Sequence, residues 1–137
     1  MRIAITAGKL ASIFCVLLFT VISYGVSAQE GEKITHRVQF ARGQNSATLK
    51  GKIKKNQEII YTVRANKGQT LTARVTASTP NHDVVFTIEG PGGRSLMDEG
   101  DVDTDWTGKL PESGDYQISL GMIESEFSNY TLEVSVR

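Results

Sequence analysis

Apolar and polar residues alternate with a period of two along most of the chain after residue 30. The pattern is cleanest within residues 71–77 and 130–136, where every second residue is apolar. Because successive side chains of a strand point to opposite faces, this spacing predicts strands with one buried and one solvated face. The predicted strands are residues 35–40, 47–53, 58–65, 70–77, 84–89, 104–110, 116–122 and 130–136.

Turn-forming residues separate these segments at short, regular intervals. Glycine, asparagine and proline cluster at residues 42–45, 54–56, 66–68, 80–83, 90–93 and 113–114. No segment of residues 31–137 repeats apolar residues with a helical period. Short strands with this spacing are typical of two stacked sheets. The pattern therefore predicts an all-β protein, a single-domain β-sandwich or jelly roll of about eight antiparallel strands.

The first 28 residues have the composition of a secretory signal peptide. Arg2 and Lys9 precede an apolar run over residues 10–22, and Val26-Ser27-Ala28 supplies the small residues at which signal peptidase cuts. The run is shorter than the roughly 20 residues that span a bilayer. We expect residues 1–28 to be cleaved, which leaves a domain of residues 29–137 that is periplasmic or secreted and not membrane-bound.

Charge and cysteine content narrow the function classes. The only cysteine, Cys15, lies in the signal, so packing alone must stabilise the exported domain. Residues 29–80 hold ten Lys/Arg against three Glu, and residues 81–137 hold three against twelve acidic residues. This split could orient a charged partner, although interleaved strands would mix the two halves in space. The balance is acidic and the basic half lacks interleaved aromatics, which disfavours nucleic acid.

Several short motifs carry a family resemblance. Residues 61–69 contain a Tyr-Thr-apolar strand followed by Gly-Gln, residues 88–93 contain a Pro-Gly-Gly turn, and residues 110–118 read Leu-Pro-Glu-Ser-Gly-Asp-Tyr-Gln-Ile. In this order the motifs resemble the bacterial pre-peptidase C-terminal domain family, which implies a β jelly roll. The resemblance extends over most of the exported domain.

A narrower resemblance lies within that architecture. Residues 38–43, 46–47 and 51–54 are similar to the periplasmic inhibitors of g-type lysozyme, which are small, exported, stand-alone proteins. The resemblance implies that loops at one end of the sandwich, including a Ser-Gly-x-Tyr turn, block the sugar-binding cleft of a lysozyme. The match departs at residues 123–128, Ile-Glu-Ser-Glu-Phe-Ser, where the inhibitors have a basic, asparagine-containing loop.

The segment Ser113, Gly114, Asp115 and Tyr116 has two interpretations. In the first, Ser113 and Gly114 form a turn, and Tyr116 begins a strand with its ring in the core and its hydroxyl bonded near the sheet end. In the second, the turn projects Ser113 and nearby backbone N–H groups toward the catalytic carboxylates of a glycosidase. Both roles can coexist, and we expect these four residues to form an inhibitory loop.

Other residues are candidates for partner contacts. The acidic run at residues 98–105 would attract a basic partner, so Asp101, Asp103 and Asp105 are possible contacts, together with Trp106 and Tyr61. Calcium binding by this run is an alternative, but an EF-hand spacing counted from Asp101 lacks the glycine at its sixth position. A solvated acidic loop is the simplest interpretation.

The sequence does not indicate an enzyme. His36 and His82 are too few for a metal cluster, and the pair at residues 82–83 has no identifiable nucleophile. We expect no metal and no cofactor. The leading hypothesis is an exported inhibitor of lysozyme, with the g-type favoured. The alternatives are an accessory module that binds carbohydrate or an exported protein partner, and a calcium-stabilised structural domain.

Overall fold

The computed structural model describes residues 31–80 and 82–137, so the expected signal peptide and Cys15 lie outside the described residues. Within this part of the chain, eight strands follow one another. They are β1 (Glu32–Arg37), β2 (Ser46–Lys54), β3 (Gln57–Ala65), β4 (Thr70–Ala77), β5 (Val84–Glu89), β6 (Asp105–Lys109), β7 (Gly114–Met122) and β8 (Phe127–Val136). The predicted all-β class and strand number are confirmed.

The strands form two four-stranded sheets, ordered β1-β3-β7-β5 and β2-β8-β4-β6. The pairs within each sheet are antiparallel except β1 and β3, which are parallel. The parallel pair arises because the chain leaves β1, crosses to the other sheet as β2, and only then returns to form β3. The sandwich is therefore antiparallel as predicted, with one parallel pair at an edge.

The apolar side of each strand faces the space between the sheets. Burial alternates along β8, where Ser128, Tyr130, Leu132, Val134 and Val136 face inward. The buried side chains form one core, and no buried side-chain nitrogen or oxygen of the described residues lacks a hydrogen-bond partner. One core of this kind is what a cysteine-free domain of this size requires.

The first strand lies about three residues before its predicted position. The ladder with β3 ends at Arg37, whereas residues 35–40 were expected to form the strand. Val38 is nevertheless 6% exposed, and its N–H donates to the Thr62 carbonyl at 2.8 Å. The apolar pattern thus identified the inward-facing residues of the segment and misplaced the limits of the pairing.

The two ends of the sandwich carry different loops. Loops 38–45, 66–69, 90–94 and 110–113 form one end, which we call the upper end. Segments 55–56, 78–83 and 123–126 form the opposite end, which we call the lower end. Strand β7 runs from the upper to the lower end, and its nine residues span about 26 Å. The two ends are therefore far enough apart to contact different partners.

The segment between β5 and β6 covers one sheet edge. The Leu96 N–H donates to the Ile88 carbonyl at 2.9 Å, and Phe86 and Asp103 exchange two backbone hydrogen bonds at 2.9 and 3.1 Å. This contact satisfies part of the outer edge of β5, which would otherwise present unpaired backbone groups. Among the described residues, no helix is long and apolar enough to cross a membrane.

Candidate functional site

The turn that precedes β7 lies at the upper end, beside loops 66–69 and 90–94. Ser113 is exposed and Gly114 begins the strand, so the chain changes direction at the surface. Ser113 Oγ accepts a hydrogen bond from the Lys67 backbone N–H at 2.8 Å. A hydroxyl that accepts a bond keeps its own hydrogen, so Ser113 can still donate to a partner.

Tyr116 supports this turn from inside the sandwich. Its side chain is fully buried, and its hydroxyl donates to the Glu112 carbonyl at 2.5 Å and accepts from the Glu112 backbone N–H at 3.2 Å. The tyrosine therefore ties the incoming chain to the strand, as the first interpretation of the sequence predicted. Since the ring is buried, the Tyr116 side chain is not accessible to a binding partner.

Gly114 occupies a position that only glycine fits well. Its φ is 150°, and a Cβ built there would lie 2.7 Å from Pro91 Cγ. A side chain at this position would collide with loop 90–94 and would require a backbone conformation that L-residues avoid. The close approach of Pro91 thus fixes the turn from a second side.

Asp115 on β7 pairs with two arginines, one on the adjacent strand β3 and one on β1 beyond it. Arg37 Nη2 lies 3.1 Å from Asp115 Oδ1, and Arg64 Nη1 lies 3.7 Å from the same oxygen. All three side chains remain about half exposed or more, so each pair contributes about 0–1 kcal/mol to stability. Their main effect is to orient the Asp115 side chain and to neutralise its charge beside the turn.

The surface around the turn is basic in sum. Three arginines pair with two carboxylates, namely Arg37 and Arg64 with Asp115, and Arg94 with Glu112. A shallow depression adjoins the turn and is lined by residues 90–93, Asp115 and Gln117. The upper end can therefore present a rigid, polar, cationic projection to an acidic partner.

The acidic segment is largely bound within the fold. Asp105 makes two hydrogen bonds with Arg74, at 2.8 and 3.1 Å, and Asp103 Oδ1 accepts the backbone N–H groups of Thr104 and Asp105 at 2.7 and 3.2 Å. Asp101 is exposed. Asp103 is bridged to β5, whereas Asp105 is the first residue of β6 in the other sheet, and neither is part of the turn at the upper end.

The two aromatic candidates occupy different environments. Trp106 is partly buried against the core, and its ring packs close to Gly108. Tyr61 is 6% exposed, and its hydroxyl lies 2.6 Å from that of Tyr130. Burial and this hydrogen bond raise the pKa of Tyr130. Tyr61 is thus a core residue, and we leave it out of the contact surface.

The structure bears on the calcium hypothesis and on the pair at residues 82–83. In the part of the chain that the structure covers, no three His, Cys, Asp or Glu side chains are placed to hold an ion, so the calcium hypothesis gains no support. The Asp83 carboxylate is not directed at its neighbour His82 in the manner of a catalytic pair. Its carboxylate instead accepts the backbone N–H groups of Glu124 and Ser125 at 2.7 and 2.9 Å.

Sequence reasoning found the turn but missed most of its supports. Arg37, Arg64, Lys67 and Pro91 come from four separate segments of the chain. No local pattern links them to residues 113–116. The Pro-Gly-Gly signal at residues 91–93 identified the loop, although not its contact with Gly114.

The fold and the described site define a two-sheet β-sandwich protein with a hydrogen-bonded polar turn at one end. Several solved structures are similar to this chain. The periplasmic inhibitor of g-type lysozyme from Aeromonas hydrophila is 30% identical, with a TM-score of 0.66, over 78% of this chain and 99% of that one. The corresponding Salmonella Typhimurium inhibitor is 25% identical, with a TM-score of 0.58, over 76% and 98%.

A mutant of the Escherichia coli inhibitor shares the fold, with 24% identity and a TM-score of 0.57 over 78% of this chain and 100% of that one. Neither protein-family models nor curated proteins give a match. On the identity and coverage of the A. hydrophila protein, the chain belongs to the family of periplasmic inhibitors of g-type lysozyme, PliG. It is therefore grouped with inhibitor proteins and not with enzymes.

Proposed function

We propose that this protein is a periplasmic inhibitor of g-type lysozyme and that the turn at residues 113–115 enters the sugar-binding cleft. The observation that carries the proposal is the 30% identity with the A. hydrophila inhibitor over 99% of that chain. The signal-like residues 1–28 agree with export to the periplasm. Binding a lysozyme requires only a surface that fits its cleft, and no reactive group of the inhibitor takes part.

The geometry of the upper end supports occlusion of the cleft. Glycosidases commonly act through a pair of carboxyl groups, so their clefts are acidic. The Ser113 hydroxyl can donate to a carboxylate, and Arg37 and Arg64 offset the charge of Asp115. A turn fixed by Tyr116 and Pro91 loses little conformational entropy when it docks.

The test measures lysis of cell-wall suspensions by g-, c- and i-type lysozymes in the presence of the processed protein. We expect inhibition of the g-type enzyme. Replacing Arg37 and Arg64 together by glutamine should weaken inhibition, because the charge of Asp115 would then face the acidic cleft uncompensated. Arg74→Gln is the matched control, since it removes another exposed Arg–Asp pair away from the turn.

Three outcomes would contradict the proposal in whole or in part. Absence of inhibition of any lysozyme class at micromolar protein would remove the function itself. Retention on a polysaccharide column without inhibition would instead support the accessory-module alternative. Equal inhibition by the double arginine variant, the Arg74→Gln variant and the wild type would leave the inhibitor function intact and exclude the charged upper end from the contact.

A further inference from the structure

The lower end presents two large apolar side chains to solvent. Ile123 and Phe127 are each 56% exposed, and they flank the loop that joins β7 to β8. Within residues 31–80 and 82–137, the remaining exposed large apolar residue is Val102, which lies in the acidic run at residues 98–105. Exposed apolar residues that share one loop indicate an interaction surface more strongly than isolated ones do.

A buried carboxylate fixes the position of this loop. Asp83 is 5% exposed, and its two oxygens accept the Glu124 and Ser125 backbone N–H groups, while its carbonyl accepts the N–H of Ile123 at 3.0 Å. On the other side, the Lys55 N–H donates to the Glu126 carbonyl at 2.8 Å. Hydrogen bonds from both sides therefore fix the loop that exposes Ile123 and Phe127.

A row of lysines adjoins Phe127 on the edge strand β2. Lys50, Lys52 and Lys54 point outward, and their partners across the sheet on β8 are Thr131, Asn129 and Phe127, none of which is acidic. The three lysines make no ion pair within the described part of the chain. Lys52 Nζ lies 4.4 Å from the centre of the Phe127 ring.

The loop itself carries two carboxylates. Glu126 pairs with Lys55 at 3.3 Å, and Glu124 is exposed. The exposed Glu133 lies on the same face of β8, two residues from the Lys50 partner Thr131, and adds a third negative charge. The row of three lysines together with Lys55 exceeds these three charges, so the surface keeps a net positive charge. We define the membrane-facing surface as Ile123, Phe127, Lys50, Lys52 and Lys54.

We propose that this surface binds an anionic lipid membrane, which departs from the sequence-based expectation of no membrane partner. Lysines attract the lipid phosphates, and Phe127 beside them, together with Ile123 at the other end of the same short loop, can enter the interface between head groups and acyl chains. Lysines on an edge strand also discourage pairing with other strands, but that role does not account for Ile123 and Phe127. A soluble polyanion would need only the lysines, so the apolar pair favours the membrane.

The orientation that results is compatible with the proposed inhibition. The apolar pair of the membrane-facing surface lies at the lower end, about 26 Å along β7 from the turn at Ser113. From there the row of lysines extends along β2 to the middle of that strand at Lys50. Strand β1 begins at Glu32 at the same lower end, so the chain also enters the domain on this side. A bound molecule would hold its inhibitory turn away from the lipid and open to an enzyme.

Vesicle co-sedimentation of the processed protein tests the proposal. We expect binding to vesicles in which about one third of the lipid is phosphatidylglycerol, and none to phosphatidylcholine alone. Replacing Ile123 and Phe127 together by serine should weaken binding about ten-fold, because burial of their apolar surface is lost. Replacing Lys50, Lys52 and Lys54 by glutamine should weaken binding and abolish its salt dependence.

Matched controls come from other exposed positions. Val102→Ser removes an exposed apolar residue from the acidic run at residues 98–105. Lys109→Gln removes a lysine from β6, which is the edge strand opposite β2 in the sheet β2-β8-β4-β6. Both should bind vesicles like the wild type. All variants should keep the wild-type melting temperature within a few degrees and the wild-type inhibition of lysozyme, since none of the replaced residues lies at the turn.

Several results would overturn the proposal. The first is an absence of binding to anionic vesicles, and the second is equal vesicle binding by the wild type and the Ile123/Phe127 variant. Binding to dextran sulfate without vesicle binding would assign the lysines to a polyanion. A dimer that Phe127→Ser dissociates, again without vesicle binding, would assign the surface to a second copy of the chain. Loss of lysozyme inhibition in the Ile123/Phe127 variant would assign this surface to the contact with the enzyme.

Discussion

Tyr116 is the residue on which the geometry of the turn most directly depends. Its ring lies in the core while its hydroxyl bonds both backbone groups of Glu112. An aromatic residue with a buried ring and a satisfied hydroxyl can join a strand to the loop before it. The same residue therefore contributes to stability and to the fixed position of Ser113.

Tyr116→Phe tests this double role. The change leaves the Glu112 carbonyl and N–H without their partner, which should lower the free energy of unfolding by about 1–3 kcal/mol. It should also weaken lysozyme inhibition, because the turn becomes mobile. Urea unfolding and the lysis assay measure the two effects. The exposed control Phe127→Ser should change stability by about 0.5 kcal/mol or less. A Tyr116→Phe protein with wild-type stability would contradict the assignment.

Two glycines of β7 give a matched pair of substitutions. Gly114 has a φ of 150°, and a Cβ there would lie 2.7 Å from Pro91 Cγ, whereas a Cβ at Gly121 would meet no atom within 4 Å. Gly114→Ala should therefore cost about 1–3 kcal/mol of stability and reduce inhibition, and Gly121→Ala should do neither. Thermal unfolding and the lysis assay compare them. Similar behaviour of the two variants would exclude close packing of the turn against loop 90–94.

At the scale of elements, Asp83 joins the β4–β5 loop to the β7–β8 loop. Hydrogen bonds from Ser125, and next from the backbone of Glu124, hold the pKa of Asp83 below its ordinary value of 3.8, although desolvation opposes them. A lowered pKa means that the folded state favours the carboxylate. The stabilisation is therefore present above the ordinary pKa and is lost as the pH falls through the lowered value.

Asp83→Asn should separate this contribution from general acid unfolding. Asparagine offers one acceptor oxygen instead of two, so one loop N–H loses its partner and the variant should be less stable at neutral pH. The difference in unfolding free energy between wild type and variant should shrink as the pH falls below about 4. Chemical denaturation across this pH range provides the measurement. A difference independent of pH would show that the carboxylate charge does not anchor the loop.

The elements also show what the sequence could predict. Period-two alternation located the strands because alternate residues face the core in seven of them. The exception is β1, in which Ile34 alone is partly buried and whose predicted limits were about three residues off. It could not predict that β1 pairs in parallel with β3, since pairing direction depends on the path of the chain between sheets. Asp83 could not be recognised as a loop anchor, because its partners lie 41 and 42 residues away. The Tyr61–Tyr130 hydrogen bond likewise joins residues far apart in the sequence.

For the whole molecule, the fold mixes the two oppositely charged halves of the sequence. Among the described residues, four of the six ion pairs join a base from residues 29–80 to an acid from residues 81–137, as interleaved strands predict. The molecule is therefore not a simple charge dipole along its sequence. The two proposals instead assign different roles to its two ends, with the Ser113 turn at the upper end and the lysine and apolar surface extending from the lower end.

The most direct test of the central claim is a crystal structure of the protein bound to a g-type lysozyme. We expect residues 113–115 to occupy the sugar-binding cleft, with Ser113 within hydrogen-bond distance of a catalytic carboxylate and Tyr116 still buried in the inhibitor. A complex in which the turn faces solvent and another surface covers the enzyme would contradict the account.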